Sequence, residues 1–251
     1  MPIDIRDILN RRGDLSTFVV HLTKDQIDGA NARAVLDAII AQRVLRAVTP
    51  MGWAATQAPV GAARDSQKVV CFSETPLEQI YSLVADIAGR QVRLAPYGLV
   101  FTKLAARRMG INPVWYVDMT PGRDWEIAQA LDALRTAAIA TGAFQDQRVA
   151  AIFPFMEQMG TWPLNQKEFW WEREWRNRGD LPFQFWDVAL WLCPEAEVPA
   201  IEQLIIDTQL AAGVHPEDLV QPYCVDPRWG VEAIVANLVG RGNDVTPFGP
   251  R

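Results

Sequence analysis

The β-rich runs of this chain are short, and helical runs separate them at irregular intervals. "STFVVHL", "VVCFS", "NPVWYVDM" and "FWDVALWLC" read as strands, whereas "DGANARAVLDAIIAQRVLRAV", "TPLEQIYSLVADIAG", "DWEIAQALDALRTAAIATG" and "PAIEQLIIDTQLAAG" carry apolar residues at helical spacing. No strand–crossover–strand unit repeats, as a doubly wound sheet would demand. The pattern predicts an α+β fold: a single domain over residues 1–251, with a central mixed or antiparallel sheet flanked by helices. "DIRDILNRR" reads as a short first helix, and "QVRLAPYGLVFTK" as a strand pair turning near Pro96 to Gly98. "VAAIFPFMEQMG" mixes strand and turn, and residues 196–251 are expected to form a C-terminal helical extension. An Asp cap, Pro76 at a helix start and Gly142 at a helix end punctuate the helical runs. Residues 49–68, "TPMGWAATQAPVGAARDSQK", have no period and much Gly, Ala and Pro, so a long loop is expected there, of the length and composition of a lid over a cleft.

Composition narrows the function classes. With 251 residues the chain is long enough for a sizeable core, and 49% hydrophobic with 22% charged residues is ordinary for a globular protein. A net charge of −6 argues against a general nucleic-acid or membrane-surface binder, although Arg107 with Arg108, or Arg173 with Arg176, offer local basic patches. Cys71, Cys193 and Cys224 are widely separated and lack CxxC spacing, which argues against a disulfide framework or a structural zinc. The only histidines are His21 and His215, so no His-rich metal centre is expected. The polar start "MPIDIRDILNRRGDLS" does not read as a signal peptide, and no apolar run reaches membrane-helix length, so a cytoplasmic chain with no membrane partner is expected. GxGxxG, Walker, HExxH and GxSxG motifs are absent.

One segment departs from this ordinary background. "EFWWEREWR", residues 168–176, packs three Trp, three Glu and two Arg into nine positions. As a strand, its side chains alternate faces. Glu172, Glu174 and Arg176 then share one face, and Trp171, Arg173 and Trp175 share the other. The expectation is a strand near the sheet centre, with its carboxylates lining a cleft and its indoles in the core. The bland alternative is a solvated charged face over a buried aromatic one.

Three other stretches stand out. "VVHLTK" places His21 and Thr23 at a strand end, "VVCFSETPL" does the same for Ser73 and Thr75, and "APYGLVFTK" sets Tyr97 and Gly98 at a turn into a strand. Each has a structural reading too: a hydrogen-bonded strand end, a helix cap by Ser73 or Thr75, and a plain turn.

Together these stretches resemble the AbiGi-like group of abortive-infection, phage-resistance proteins. "VCFSETPL", "PYGLVFTKLAARRMGINPVWYV" and "EREWR" carry that likeness over roughly residues 15–195. It implies a defence role and a cognate toxin or antitoxin partner rather than a mechanism. A weaker resemblance is to the ADP-ribosyltransferase superfamily, including the DarT-like enzymes that modify DNA. It implies an ADP-ribosyltransferase-like fold with NAD as the donor. His21 and Thr23 look like the early His-x-Thr element that holds NAD. Ser73 and Thr75 are similar to the Ser-Thr-Ser strand of the arginine-initiated branch, and Glu172-x-Glu174 to its Glu-x-Glu, with Glu174 in the catalytic place. Tyr97 matches the stacking Tyr of the His-Tyr-Glu branch. Glu74 stands where the DarT-like pattern has an Arg, and the match mixes two branches. The resemblance implies a nucleic-acid or protein acceptor, with catalytic Glu174 and Glu172 and with His21, Thr23, Ser73, Thr75 and Tyr97 around NAD. A non-catalytic antitoxin that binds a partner protein, and a nuclease using Glu172, Glu174 and Asp187 to hold a metal ion, are the alternatives.

Overall fold

A computed structural model describes residues 13, 15–26, 29–53, 55, 61–86, 93–122, 126–139, 144, 146–163 and 165–240. Its strands are β1 (Phe18–Leu22), β2 (Val44–Leu45), β3 (Thr49–Pro50), β4 (Lys68–Ser73), β5 (Gly98–Thr102), β6 (Asn112–Pro113), β7 (Trp115–Asp118), β8 (Met156–Trp162), β9 (Asn165–Lys167), β10 (Glu174–Arg178), β11 (Leu181–Pro182), β12 (Val188–Leu192) and β13 (Cys224–Val225). Its α-helices are α1 (Ala32–Gln42), α2 (Ala62–Asp65), α3 (Ile80–Val84), α4 (Lys103–Arg108), α5 (Glu126–Ile139), α6 (Gln147–Ile152), α7 (Val198–Ala211) and α8 (Val231–Gly240). The class is α+β, as the irregular interleaving predicts. The expected first helix and the Gly142 stop lie outside the described residues.

The chain packs into two compact units, each assembled from separated stretches. The first draws on Met1–Arg43, Glu74–Ala105 and Phe183–Arg251. Its strands run in the order β13-β12-β5-β1. β1 lies antiparallel to β5, with His21 opposite Leu99 and Leu22 opposite Gly98, and β12 joins β13 in parallel. The sheet is therefore mixed. Val19, Val20, Leu99, Val100 and Phe101 are all buried. Apolar residues consecutive in sequence, hence on both faces, mean that the sheet is covered on both sides. On one side Val20, Leu22, Val100, Leu190 and Leu192 pack with Ile80, Leu83 and Ile234 of α3 and α8. The stretch expected as a C-terminal helical extension thus also supplies a sheet strand and a core helix. Gly98 is needed for close approach, because a Cβ there would sit 2.0 Å from the His21 carbonyl oxygen.

α1 starts later than its apolar period suggests. Asn31, not an Asp, caps it by accepting the Ala34 N–H at 2.9 Å, and Arg43 ends it in the left-handed region at φ 53°. The helix expected after "SET" opens as a 3-10 turn, Leu77–Gln79, before α3. Pro76 precedes that turn with no side-chain cap bond, so neither Ser73 nor Thr75 caps it.

The second unit draws on Val44–Ser73 and Ala106–Pro182. Here β3, β4, β10 and β6 form an antiparallel set, β2 pairs with β11, and β7-β8-β9 make a small sheet with one parallel and one antiparallel junction. Its core gathers Trp53, Val117, Phe144, Ala150, Phe153 and Met156. The 49–68 stretch is less loop-like than its composition suggests. It contributes β3 and α2, and Trp53 is buried. Gly52, at φ 95°, has no room for a Cβ, which would fall 2.1 Å from the Phe153 carbonyl oxygen. Residues 54 and 56–60 lie outside the description. Among the described residues no helix is long and apolar enough to cross a membrane.

Candidate functional site

"EFWWEREWR" is not one strand. Phe169–Glu172 form a 3-10 turn, Arg173 takes the left-handed conformation at φ 48°, and its N–H bonds back to the Trp170 carbonyl at 3.1 Å. An L-residue in that region costs roughly 1–2 kcal/mol. The expected alternation therefore begins only at Glu174. Glu174 and Arg176 do share a face of β10, and Trp175 is buried on the other. Glu172 precedes the strand and does not stack beside Glu174 on a pleat. Trp171 is 41% exposed and Trp170 is exposed as well, against the expectation that the indoles form core. The Trp170 Nε1–H donates to Glu168.

β10 sets Glu174 directly opposite Ser73 of β4, and Arg176 opposite Cys71. Two predicted site residues about a hundred positions apart are thus cross-strand neighbours. The Glu174 carboxylate accepts two bonds from one guanidinium: Arg176 Nε to Oε1 at 2.9 Å and Nη2 to Oε2 at 2.7 Å. Arg176 is fully buried. Its Nη2 also donates to Glu157 Oε2 at 2.7 Å, and its Nη1 to the Pro154 carbonyl at 2.7 Å. Glu157 in turn accepts from Lys167 Nζ at 2.6 Å. Burial works to raise the Glu157 carboxyl, but the charges of Arg176 and Lys167 outweigh it and hold the group below its ordinary value. Burial, and then the charge of Glu174, push the neighbouring Cys71 thiol well up and raise the Tyr116 phenol. A thiol held protonated in this way is a poor nucleophile.

The other predicted residues belong to the first unit. His21 is half-buried in β1. Thr23 follows that strand and is buried. Its N–H donates to the Tyr97 carbonyl at 2.7 Å, and its hydroxyl donates to the Ala32 carbonyl at 2.9 Å. Thr23 and Tyr97 are brought together through backbone, with the Thr23 proton already engaged. The Tyr97 hydroxyl donates to Glu197 Oε1 at 2.5 Å, and Arg33 donates to the other Glu197 oxygen. Burial, helped by the Glu197 carboxylate, pushes the Tyr97 phenol up to about 12, so it stays protonated and keeps donating. Thr75 is buried, as is Glu74, which pairs with Lys103 Nζ at 2.8 Å. Glu74 therefore comes with its own cation.

Arg176 was visible in the sequence as a counter-charge on the Glu174 face. Glu157, Lys167, Glu197 and Arg33 were not singled out. The signal for Glu157 was a lone carboxylate inside the apolar run "IFPFMEQM", a position that a charge occupies only when paired. Among the described residues no group of three or more His, Cys, Asp or Glu side chains is placed to hold a metal ion.

No protein-family model matches the chain, and no curated protein matches it. Among solved structures, the chain is similar to a Thermus sp. 2.9 DarT in complex with carba-NAD+. The identity is 16% and the TM-score 0.37, over 85% of this chain and 97% of that one. The same protein in complex with ADP-ribosylated ssDNA matches at 15% identity and TM-score 0.36, over 85% and 96% of the two chains.

Proposed function

We propose that the chain is an ADP-ribosyltransferase-like enzyme of phage defence that consumes NAD and modifies a nucleic-acid or protein acceptor. The observation that carries this reading is the cross-strand pairing of Glu174 with Ser73, because these are residues on which the sequence resemblance rests. In this reading Glu174 and Ser73, with Glu172 beside them in sequence, do the chemistry, and His21, Thr23, Thr75 and Tyr97 are the residues that the resemblance assigns to NAD. NAD would supply an electrophilic ribose carbon: as its bond to nicotinamide breaks, nicotinamide would leave neutral with the bonding pair, and an acceptor oxygen or nitrogen would form the new bond and pass its proton to solvent. Glu174, gripped by the Arg176 fork, offers negative charge where positive charge grows on the ribose. Each of its oxygens accepts one N–H from Arg176 and the Cys71 thiol is a further donor to the carboxylate, which leaves one lone pair to orient a ribose hydroxyl. The resemblance gives His21 the adenosine ribose and gives Thr23 and Thr75 polar contacts to the donor, and Tyr97 has a ring whose hydroxyl is tied to Glu197. Glu172, at the turn before the strand, faces the acceptor.

The test is nicotinamide release and label transfer from adenylate-labelled NAD, with single-stranded DNA, RNA and total protein as acceptors. Wild type is expected to release nicotinamide, and Glu174→Gln to lose that activity while keeping its fold. Equal turnover by Glu174→Gln, or none by wild type, would remove the transferase reading.

A second reading, a non-catalytic antitoxin docking on a partner protein, is favoured by the exposure of Trp115, Trp170 and Trp171. It expects Trp170→Ser with Trp171→Ser to abolish the biological effect and Glu174→Gln to leave it intact.

A further inference from the structure

Resting on the transferase reading, we propose that Arg176 is a positioning residue, whose buried guanidinium fork holds the Glu174 carboxylate in a single orientation for work on the ribose. Lys167, Glu157, Arg176 and Glu174 form a line of alternating charge in which each member bonds the next. Exposure along that line is uneven. The side chain of Arg176 is 0% exposed and that of Glu157 9%, whereas the Glu174 side chain is 12% exposed and the Lys167 side chain 36%. The interior members are clamped, and the line ends at Glu174.

The division of the Arg176 donors supports this role. Nη1 on the Pro154 carbonyl and the bond from Nη2 to Glu157 fix the guanidinium from groups that do not bond Glu174. Nε and Nη2 then reach forward to both oxygens of Glu174. A planar fork gripping both oxygens sets the carboxylate plane as well as its distance, which a single ammonium cannot do. Stability alone does not ask for such a cluster, since well-packed apolar residues often match or exceed a buried ion pair. A site that needs a carboxylate placed to within about 0.5 Å does ask for it.

The deciding measurement is steady-state nicotinamide release by wild type, Glu174→Gln, Arg176→Lys and Glu157→Gln, each checked for fold by near-UV circular dichroism. Arg176→Lys keeps the charge and loses the fork. It is expected to lower kcat by about 100-fold, the scale of a 1 Å misplacement, with KM for NAD changed by no more than about threefold. Glu157→Gln loosens the clamp behind Arg176 and should lower kcat by a smaller factor, again with KM held. Arg176→Ala with methylguanidinium added should recover part of the lost kcat, which a merely structural role would not produce. Folded Arg176→Lys turning over within twofold of wild type would overturn the positioning role while leaving the transferase reading intact. If Arg176→Lys does not fold, Glu157→Gln decides, and an unchanged kcat there overturns the proposal. A wild type that releases no nicotinamide removes the transferase reading and this inference with it.

Discussion

The molecule holds two charge networks built from the same residue types in different surroundings. Around Tyr97, Arg33 joins Asp37 and Glu197 at partly exposed positions, and Glu197 also accepts the Tyr97 hydroxyl. Around Glu174, Arg176 joins Glu174 and Glu157 with the guanidinium wholly out of water. The first network is screened by solvent and salt, so its members can be lost one at a time at modest cost. The second is not screened, so losing its guanidinium strands the carboxylates around it. Depth, rather than residue type, decides which of the two dominates.

The sharpest way to break that contrast is Arg176→Ala, which leaves two carboxylates without their guanidinium. It should cost on the order of 3–5 kcal/mol in urea unfolding. Arg33→Ala is expected to cost no more than about 1 kcal/mol by the same measurement. Equal losses would mean that depth does not separate the networks.

A comparable contrast runs through the indoles of residues 170–175. Trp175→Ala, truncating a residue 8% exposed, should cost about 3–5 kcal/mol. Trp171→Ala should stay within about 0.5 kcal/mol of wild type. A large loss at Trp171 would restore the core role that the alternation of the sequence assigned to it.

Acid sharpens the picture of the buried network. The Glu157 carboxyl is held below its ordinary value of 4.5 in the folded chain. The stability it contributes is fully present above that value, and it is lost as pH falls through the lower folded value. Glu157→Gln should therefore flatten the acid limb of the stability curve. An acid limb identical in wild type and variant would place the sensitivity elsewhere, among the other carboxylates held low, Asp146, Asp180 and Asp226.

A small loss is expected in the first network as well. Tyr97→Phe deletes the hydroxyl bond to Glu197 and should cost about 0.5–1.5 kcal/mol. The Tyr97 phenol, raised to about 12, should in wild type resist ionisation in a spectrophotometric titration until well past the ordinary tyrosine value of 10.0.

The elements legible in advance were those whose period was long and clean. α1, α5 and α7 follow from apolar spacing, and β1, β4, β5 and β12 from dense β-branched and aromatic runs. The placement of Glu174, Arg176 and Trp175 on β10 also follows from period two. The failures have a common cause. Phe169–Glu172 close into a 3-10 turn that Arg173 ends at φ 48°, a conformation that its residue type does not announce, and that turn leaves Trp171 exposed and takes Glu172 off the pleat. The 49–68 stretch lacked any period, yet Trp53 is buried because the unit's core had room for an indole beside Phe153.

By itself the sequence determined the α+β class, the strand on which Glu174 and Arg176 lie side by side, and the chemistry those residue types can perform, because these depend on local spacing and functional groups. Only the tertiary structure decided that Ser73 faces Glu174, that Glu157 and Lys167 stand behind Arg176, and that Tyr97 is tied to Glu197. Those pairings join residues roughly a hundred positions apart or on different elements. They are set by strand register and burial, which no local pattern encodes.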